Sequence, residues 1–478
     1  MANPIDRVDM QDSVRDELRK RSRARRTFLR DLAPARHQAR NDLLPKLVLV
    51  ARPITALTLP KRNVRRMDPA HVREAVASIS TLGFCVPVLI DDTNTILDGA
   101  VRVEAAKQMG LSSIPCIIVD HLSPAERRLL RIALNRQQEK GQWDFEALKL
   151  ELEELIIEDI PVEITGFSLP EIDQILLEDD VPAVEPVPVA PEAGAVPVAR
   201  LGDHFILGEH ALICGDATDP KVLARLMGQD QARLLLTDEP YNVAIAGHVT
   251  GGDHREFVMA SGEMSDPAFL AFNEAWMAAA LPHLRDGALL GTFIDWRGQP
   301  TVQAAASRHE LTPLNLVVWV KTNAGMGSLY RSQHELLPLF KKGKASHVNN
   351  VELGKHGRWR ANVWTYPGAS TLGSDARRGL QDHPTVKPVA MLEDALLDLT
   401  NRGDLVLDPF LGSGSTLIAA EKTGRCCRGL ELDPLYIDVI LRRYEAFTGR
   451  PAILRETGET FAKVAERREH ERCSTTTD

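Results

Sequence analysis

The stretch that most constrains this 478-residue chain is Leu405-Val-Leu-Asp-Pro-Phe-Leu-Gly-Ser-Gly-Ser-Thr416. A short apolar run ends in Asp408 and breaks into a glycine turn, and a helical segment, Leu417 to Thr423, follows. Glycine has no Cβ and accepts positive φ, so the backbone at such a turn can come close to a ligand. The helix N-terminus behind it offers unpaired N–H groups. A second strand, Cys427-Arg-Gly-Leu-Glu431, ends in an acid 23 residues after Asp408. Strand, glycine turn, helix and carboxylate in that order describe a nucleoside pocket of the Rossmann kind, where the acid holds ribose hydroxyls. The turn lacks the full G-x-G-x-x-G fingerprint, which argues against a dinucleotide, and tight packing explains a lone Gly-x-Gly equally well. The deciding feature is a second strand-end acid upstream, in Leu234-Leu-Leu-Thr-Asp238-Glu-Pro-Tyr241-Asn242, with a proline and an aromatic just after it.

Asp238-Glu-Pro-Tyr241 resembles the D-P-P-Y motif of amino-group DNA methyltransferases. Asp408-Pro-Phe-Leu-Gly-Ser-Gly-Ser-Thr416 resembles their S-adenosylmethionine motif, D-P-F-x-G-S-G-T-T, and His383-Pro-Thr-Val-Lys-Pro388 resembles the H-P-T-x-K-P element that precedes it. Catalytic motif first and cofactor motif last is the permuted order of the β class of these enzymes. The resemblance covers about residues 200–450. It implies a Rossmann-like α/β methyltransferase domain, with a mostly parallel sheet and helices on both faces. The strand ends bearing Asp238 and Asp408 should lie side by side at the carboxyl edge, where ligands bind in such sheets. The implied reaction moves a methyl group from S-adenosylmethionine to an exocyclic base amine in double-stranded DNA. N6 of adenine is favoured over N4 of cytosine because the motif begins with Asp.

An exocyclic amine is a poor nucleophile, because its lone pair is delocalised into the base. Hydrogen bonds from its N–H groups to acceptors shift the nitrogen towards sp³ and free the pair. By the resemblance, Asp238 accepts one such bond and the backbone carbonyl of Glu239 a second, while Pro240 stiffens the loop and Tyr241 stacks on a base flipped out of the duplex. Glu239 stands where relatives carry proline, and it is expected to point away from the site. On the cofactor side the resemblance implies that Asp408, Phe410, Gly412 and Gly414 form the floor. Glu431 binds ribose hydroxyls, and Thr385 and Lys387 approach the methionine carboxylate. Asp216, in Cys214-Gly-Asp216, is either an adenine contact or an ordinary turn aspartate. The loop Gly247-His-Val-Thr-Gly-Gly-Asp-His-Arg255 reads as a lid over the flipped base, and its histidines show no metal-ligand spacing.

Net charge is −9, which alone argues against a nucleic-acid binder, but the charge is uneven. Residues 321–378 carry 10 Lys/Arg against 3 acids, and a phosphate backbone responds to the local field. This loop-rich region, about 321–382, lies between the catalytic and cofactor motifs, where the β class places target recognition. Lys321, Arg331, Lys341, Lys342, Arg358 and Arg360 are its candidate DNA contacts, interleaved with Tyr330, Trp359, Trp364 and Tyr366.

The rest of the chain divides by composition. Residues 1–45 are an Arg-rich extension that reads as solvated helix or tail. Residues 46–145 read as a smaller α+β domain, with a capped helix from Asp68-Pro69, strands near 86–90, 95–97 and 114–119, and a capping box at Ser123-Pro-Ala-Glu126. Asp98-Gly-Ala-Val-Arg102, Ala105-Ala-Lys-Gln-Met-Gly110, Ile114-Pro115 and Leu134-Asn-Arg136 resemble the N-terminal domain of ParB-type partition proteins. Relatives that bind CTP hold a phosphate with His-Thr or Glu-Arg where this chain has Ala100-Val101, so a structural or DNA-contacting role is expected instead. A ParB-like DNA-binding protein with a degenerate methylase half, Glu239 being its suspect residue, is therefore an alternative reading. Residues 146–180, with 12 acids and one lysine, read as a helical extension of this first domain. Residues 181–199 read as a Pro-rich linker, and 451–478 as a charged, mostly disordered tail. Six scattered cysteines fit reduced thiols in a cytoplasmic protein, and no apolar run suits a membrane span. Relatives of the β class often dimerise, so a homodimer is a further expectation.

Overall fold

The computed structural model describes residues 44–475 apart from 63–64, 139, 142, 159, 178–194, 243–261, 323, 325–328, 352–357 and 369–385. The chain divides into two units near residue 143. In the first, β1 (Val48–Pro53) precedes α1 (Pro69–Leu82), which is capped by Asp68 accepting the Ala70 N–H at 2.9 Å and closed by Gly83 at φ 82°. Then come β2 (Val88–Ile90), β3 (Ile96–Asp98), α2 (Ala100–Gln108), β4 (Ser113–Ile118) and α3 (Pro124–Gln138). The expected capping box is present, with the Ser123 hydroxyl donating to Glu126 at 2.8 Å. The strands order as β1-β4-β2-β3 over a core of Val88, Ile90, Val103, Ala106, Ile114 and Cys116. Sequence reasoning missed β1. Most of its side chains are exposed, so no buried alternation announces it, and antiparallel pairing with β4 holds it in place. Arg102 is tied to Asp98 at 2.9 Å.

The second unit begins with two helices, α4 (Phe145–Ile157) and α5 (Leu169–Leu177). Next come β5 (His204–Leu207), β6 (His210–Cys214), α6 (Pro220–Met227), β7 (Ala232–Thr237), α7 (Asp266–Ala280), β8 (Leu284–Thr292) and α8 (Gln299–Arg308). Strands β9 (Thr312–Lys321), β10 (His334–Lys341) and β11 (Val363–Tyr366) lead to α9 (Val389–Leu399), β12 (Leu405–Asp408), α10 (Ser415–Thr423) and β13 (Cys426–Glu431). The chain closes with α11 (Pro434–Thr448), β14 (Ile453–Leu454) and α12 (Phe461–Thr475).

One ten-stranded sheet, ordered β11-β9-β10-β8-β7-β12-β13-β6-β5-β14, runs through the unit. Its centre, from β8 through β7, β12 and β13 to β6, is parallel. The apolar runs of β7 and β12 are buried on both faces: Leu234, Leu236 and Val406 enter one core with α9, α10 and α11, whereas Leu235 and Leu407 enter the other with α6, α7 and α8. Continuous apolar strands covered by helices on both sides are what a parallel sheet requires. This is the Rossmann-like α/β architecture expected from the motifs.

Two boundary expectations are corrected. The acidic segment is not an extension of the first unit, for α4 and α5 belong to the second. They share a small core of Leu152, Val162, Ile172, Ile175 and Leu176, and Asp173 forms a buried ion pair with Arg425 at 2.7 Å. The C-terminal stretch is ordered rather than a loose tail. Strand β14 pairs with β5, Phe461 and Val464 enter the core, and Arg468 grips Asp203 at 2.8 Å. Most of the charge of α12 faces solvent, and the few apolar residues on its other side suffice to hold it down. Among the described residues, no helix is long and apolar enough to cross a membrane.

Candidate active site

Strands β7 and β12 are parallel neighbours, with Val406 opposite Leu234 and Leu407 opposite Leu235. That register brings Asp238 and Asp408 to the same edge, although 170 residues separate them in sequence. Thr237 ties the two ends together, its hydroxyl donating to Asp408 Oδ1 at 2.6 Å. Asp408 also accepts the Phe410 N–H at 3.1 Å, and it is 2% exposed. Burial pushes its pKa up to about 6, against the pull of the Thr237 hydroxyl.

Beyond β12 the chain turns through Gly412 (φ 56°) and Gly414 (φ 87°). A Cβ on Gly414 would press on Ile440 at 3.2 Å, so the turn needs glycine for both conformation and space. Glu431, at the end of β13, accepts the Gly412 N–H and the Asp433 N–H, each at 2.9 Å and each on a different oxygen. The Leu432 N–H also approaches this carboxylate, and its remaining acceptor capacity suits hydroxyl donors. Burial raises the Glu431 pKa to about 7. Asp216 follows β6, the strand beside β13, and its Oδ1 accepts the Thr218 N–H and hydroxyl, both at 2.8 Å. It therefore forms the expected turn, at the expected edge. Phe410 packs on Phe272 and Trp276 of α7, with both ring centroids 5.8 Å away, and braces the turn from beneath.

Around Asp238 lies a network only partly foreseen. Tyr241 O–H lies 2.8 Å from Asp238 Oδ1 and 2.9 Å from Glu335 Oε2, while Lys387 Nζ donates to Asp238 Oδ2 at 2.6 Å. Lys387 is also 3.2 Å from Glu335 Oε2, and Lys321 pairs with Glu335 as well. Lys387 is buried and Glu335 nearly so, whereas Asp238 keeps 23% of its side chain exposed and so faces the opening. Burial acts to raise the Glu335 pKa, but Lys387 and Lys321 outweigh it and hold Glu335 at about 2. Burial raises the Asp238 pKa against Lys387, so Asp238 is the more easily protonated of the two acids.

Several expectations change here. The resemblance implies Lys387 at a methionine carboxylate, but its ammonium sits on Asp238 and Glu335. Glu239 does not point away from the site into solvent; it is 1% exposed, because the residue after a central strand end has sheet on both sides. All six candidate DNA contacts have internal partners. Lys321 pairs with Glu335, Lys342 donates to the Leu281 and Leu284 carbonyls at 2.6 Å, and Arg358 and Arg360 pair with Asp394 and Asp398 of α9 at 2.8 Å. Lys341 reaches the Ala345 carbonyl at 3.2 Å and Arg331 the Ala324 carbonyl at 2.6 Å, both with exposed geometry. Thr385 and the lid loop lie outside the described residues. Pro240 is partly buried between Glu239 and Tyr241, where the motif puts it.

Sequence reasoning missed Glu335, Thr237 and Asn242. Glu335 did leave a signal, as an acid opening the apolar run of β10 inside an otherwise basic region. Asn242, at φ 56°, accepts the Gly262 and Met264 N–H groups at 3.1 Å and so ties the end of the motif to the segment just before α7.

Residues 232–442 match the DNA methylase family, 37–136 the ParB N-terminal domain and 146–201 the ParB-methyltransferase HTH domain. The Type II methyltransferase M2.DpnII of Streptococcus pneumoniae is 30% identical over 183 residues, which are 37% of this chain and 67% of that protein. The chain belongs to the DNA methylase family. The Type II methyltransferase M2.MboI of Moraxella bovis is 28% identical over 184 residues, 37% of this methylase and 66% of its relative. The methylase thus spans about two thirds of the length of these curated relatives. A solved DNA modification methylase from Thermus thermophilus, complexed with S-adenosylmethionine, is 22% identical with a TM-score of 0.36, covering 50% of this chain and 96% of that one. The methylase is an S-adenosylmethionine-dependent DNA methyltransferase, and it carries a ParB-like domain ahead of the catalytic unit.

Proposed function

We propose that this methylase modifies N6 of adenine in double-stranded DNA, with Asp238 as the acceptor that activates the amine. The observation that carries the reading is the parallel pairing of β7 with β12, which sets a partly exposed carboxylate beside a glycine turn and a ribose-suited acid. S-adenosylmethionine supplies the electrophilic methyl. Gly412 and Gly414 let the backbone approach it, and Glu431 takes the ribose hydroxyls with its remaining acceptor capacity. Asp216 borders the same edge, towards the adenine end.

On the base side, Asp238 Oδ1 accepts an amine N–H in place of the Tyr241 hydroxyl, which keeps Glu335 as its acceptor. The Glu239 carbonyl accepts the second N–H, since every residue retains that group. Lys387 holds Asp238 in one rotamer and favours its ionised form. Tyr241 stacks on the flipped base, and Arg331 and the exposed Tyr330 and Trp359 face the duplex, whereas Lys341, paired with Leu289, sits towards the other end of β10 from Glu335. Asp295 and Arg297, beyond β8, pair with each other and are assigned no part in it.

Asp238→Ala tests the assignment. It should abolish methylation of duplex DNA while leaving cofactor affinity within about twofold, because Asp238 makes a transition-state contact rather than a cofactor contact. Sequencing of DNA from expressing cells, with modified bases detected, identifies the atom and the context; N4-methylcytosine, or full activity of the variant, would overturn the proposal.

A further inference from the structure

Glu239 is the residue in which this methylase departs from the D-P-P-Y pattern, and unlike Asp408 and Glu431, which also lack a counter-charge, it is left without hydrogen-bond donors on its carboxylate. It is 1% exposed, and among the described residues neither carboxylate oxygen has a hydrogen-bond partner. An isolated carboxylate in such a place is costly, so it must be neutral or meet a cation. The charged groups that face it are Asp238 from its own loop, Lys387 from the segment before α9, and Asp408 from β12. Lys387 is already committed to Asp238 and Glu335, and the other two are acids. The site therefore has an acceptor pair with no donor, beside the turn that receives the methyl donor.

S-adenosylmethionine carries two cationic centres, the sulfonium and the α-ammonium. Only the ammonium has N–H groups to satisfy two orphaned oxygens. We infer that Glu239 is the acceptor for the α-ammonium of the methyl donor, replacing with a side-chain carboxylate what proline at this position cannot offer. The inference rests on the donor reading of the Asp408–Glu431 pocket. In the free protein, burial pushes the Glu239 pKa well up against the pull of its own backbone N–H, and Asp238 adds to the rise, so the neutral form is favoured. Glu239 ionises when an ammonium lies beside it, and its proton leaves to solvent. Donor affinity consequently rises with pH until Glu239 is ionised in the free protein too.

Calorimetric titration of the full chain tests this with three probes: S-adenosylmethionine, S-adenosylhomocysteine and 5′-methylthioadenosine, which lacks the amino-acid portion. Glu239→Gln should weaken the first two by about tenfold or more, and leave the third within about twofold. Proton release on binding S-adenosylmethionine, measured in buffers of different ionisation heat, should fall by about one proton relative to wild type. The unliganded variant should melt no lower than wild type, since the change removes an unpaired buried acid; Glu239→Ala should give the same ligand pattern. Unchanged affinity for S-adenosylmethionine, an equal loss for all three probes, or a loss confined to the sulfonium compound would each overturn the assignment. A wild-type protein that bound none of the three would overturn the donor pocket itself.

Discussion

At the residue scale, Lys387 decides how Asp238, the proposed acceptor, behaves. It lies between two carboxylates and bonds directly to Asp238, so its charge offsets the burial that would otherwise keep Asp238 protonated. Only an ionised Asp238 has both oxygens free to accept. Lys387→Met removes the offset and leaves Asp238 and Glu335 to repel each other across Tyr241. The acid limb of the kcat–pH profile should then move to higher pH. Activity at neutral pH should drop by about tenfold or more and recover as pH rises, since each unit of pKa is worth about a factor of ten in the ionised fraction. A profile with the same limb in both proteins would show that Lys387 does not control this ionisation. Such a coupling is hard to see in a sequence. Asp238, Asp408 and Glu431 announce themselves by ending apolar runs, a local signal. Glu335, Thr237 and the inward turn of Glu239 depend on which strands become neighbours, and Thr237 meets Asp408 across 171 residues.

At the scale of elements, the helical pair α4–α5 shows how composition misleads. Twelve acids against one lysine suggest a solvated arm. One of those acids, Asp173, is buried, and it meets Arg425, which is fully buried and also donates to the Thr400 and Thr423 carbonyls. Removing one partner of such a pair leaves an uncompensated charge inside. Asp173→Ala should therefore lower the unfolding free energy of the second unit by about 3 kcal/mol in urea titration. A loss below about 1 kcal/mol would mean that the carbonyls alone satisfy Arg425. The cofactor half is more legible. Strand, glycine turn and helix, Leu405 to Thr423, match β12 and α10 nearly residue for residue, because turn chemistry and apolar runs are properties of adjacent residues. The Arg358 and Arg360 cluster is not legible in this way. In a sequence, an arginine that staples a strand to a helix looks the same as one reserved for phosphate.

At the scale of the whole molecule, the catalytic edge concentrates acids that folding forces out of water. Asp408 titrates at about 6 and Glu431 at about 7, both above their unfolded values. These two acids therefore bind more protons in the folded state between roughly pH 4 and 7, and their contribution to stability falls as pH rises through that window, opposed up to about pH 6.5 by His204, which burial lowers to about 4. Glu335, held at about 2, acts in the opposite sense only in more acid solution. The unliganded methylase should show a decreasing denaturation midpoint from about pH 6.5 to 7.5, above the range in which His204 opposes it. Glu431→Gln should flatten part of that slope, and an identical slope in the variant would refute the contribution of Glu431. The same sheet also ties together parts of the chain far apart in sequence. Its last edge is closed by β14 and its Asp203 anchor by Arg468. Severing the chain between α11 and β14 would therefore bare the β5 edge and free the backbone groups that β14 now occupies.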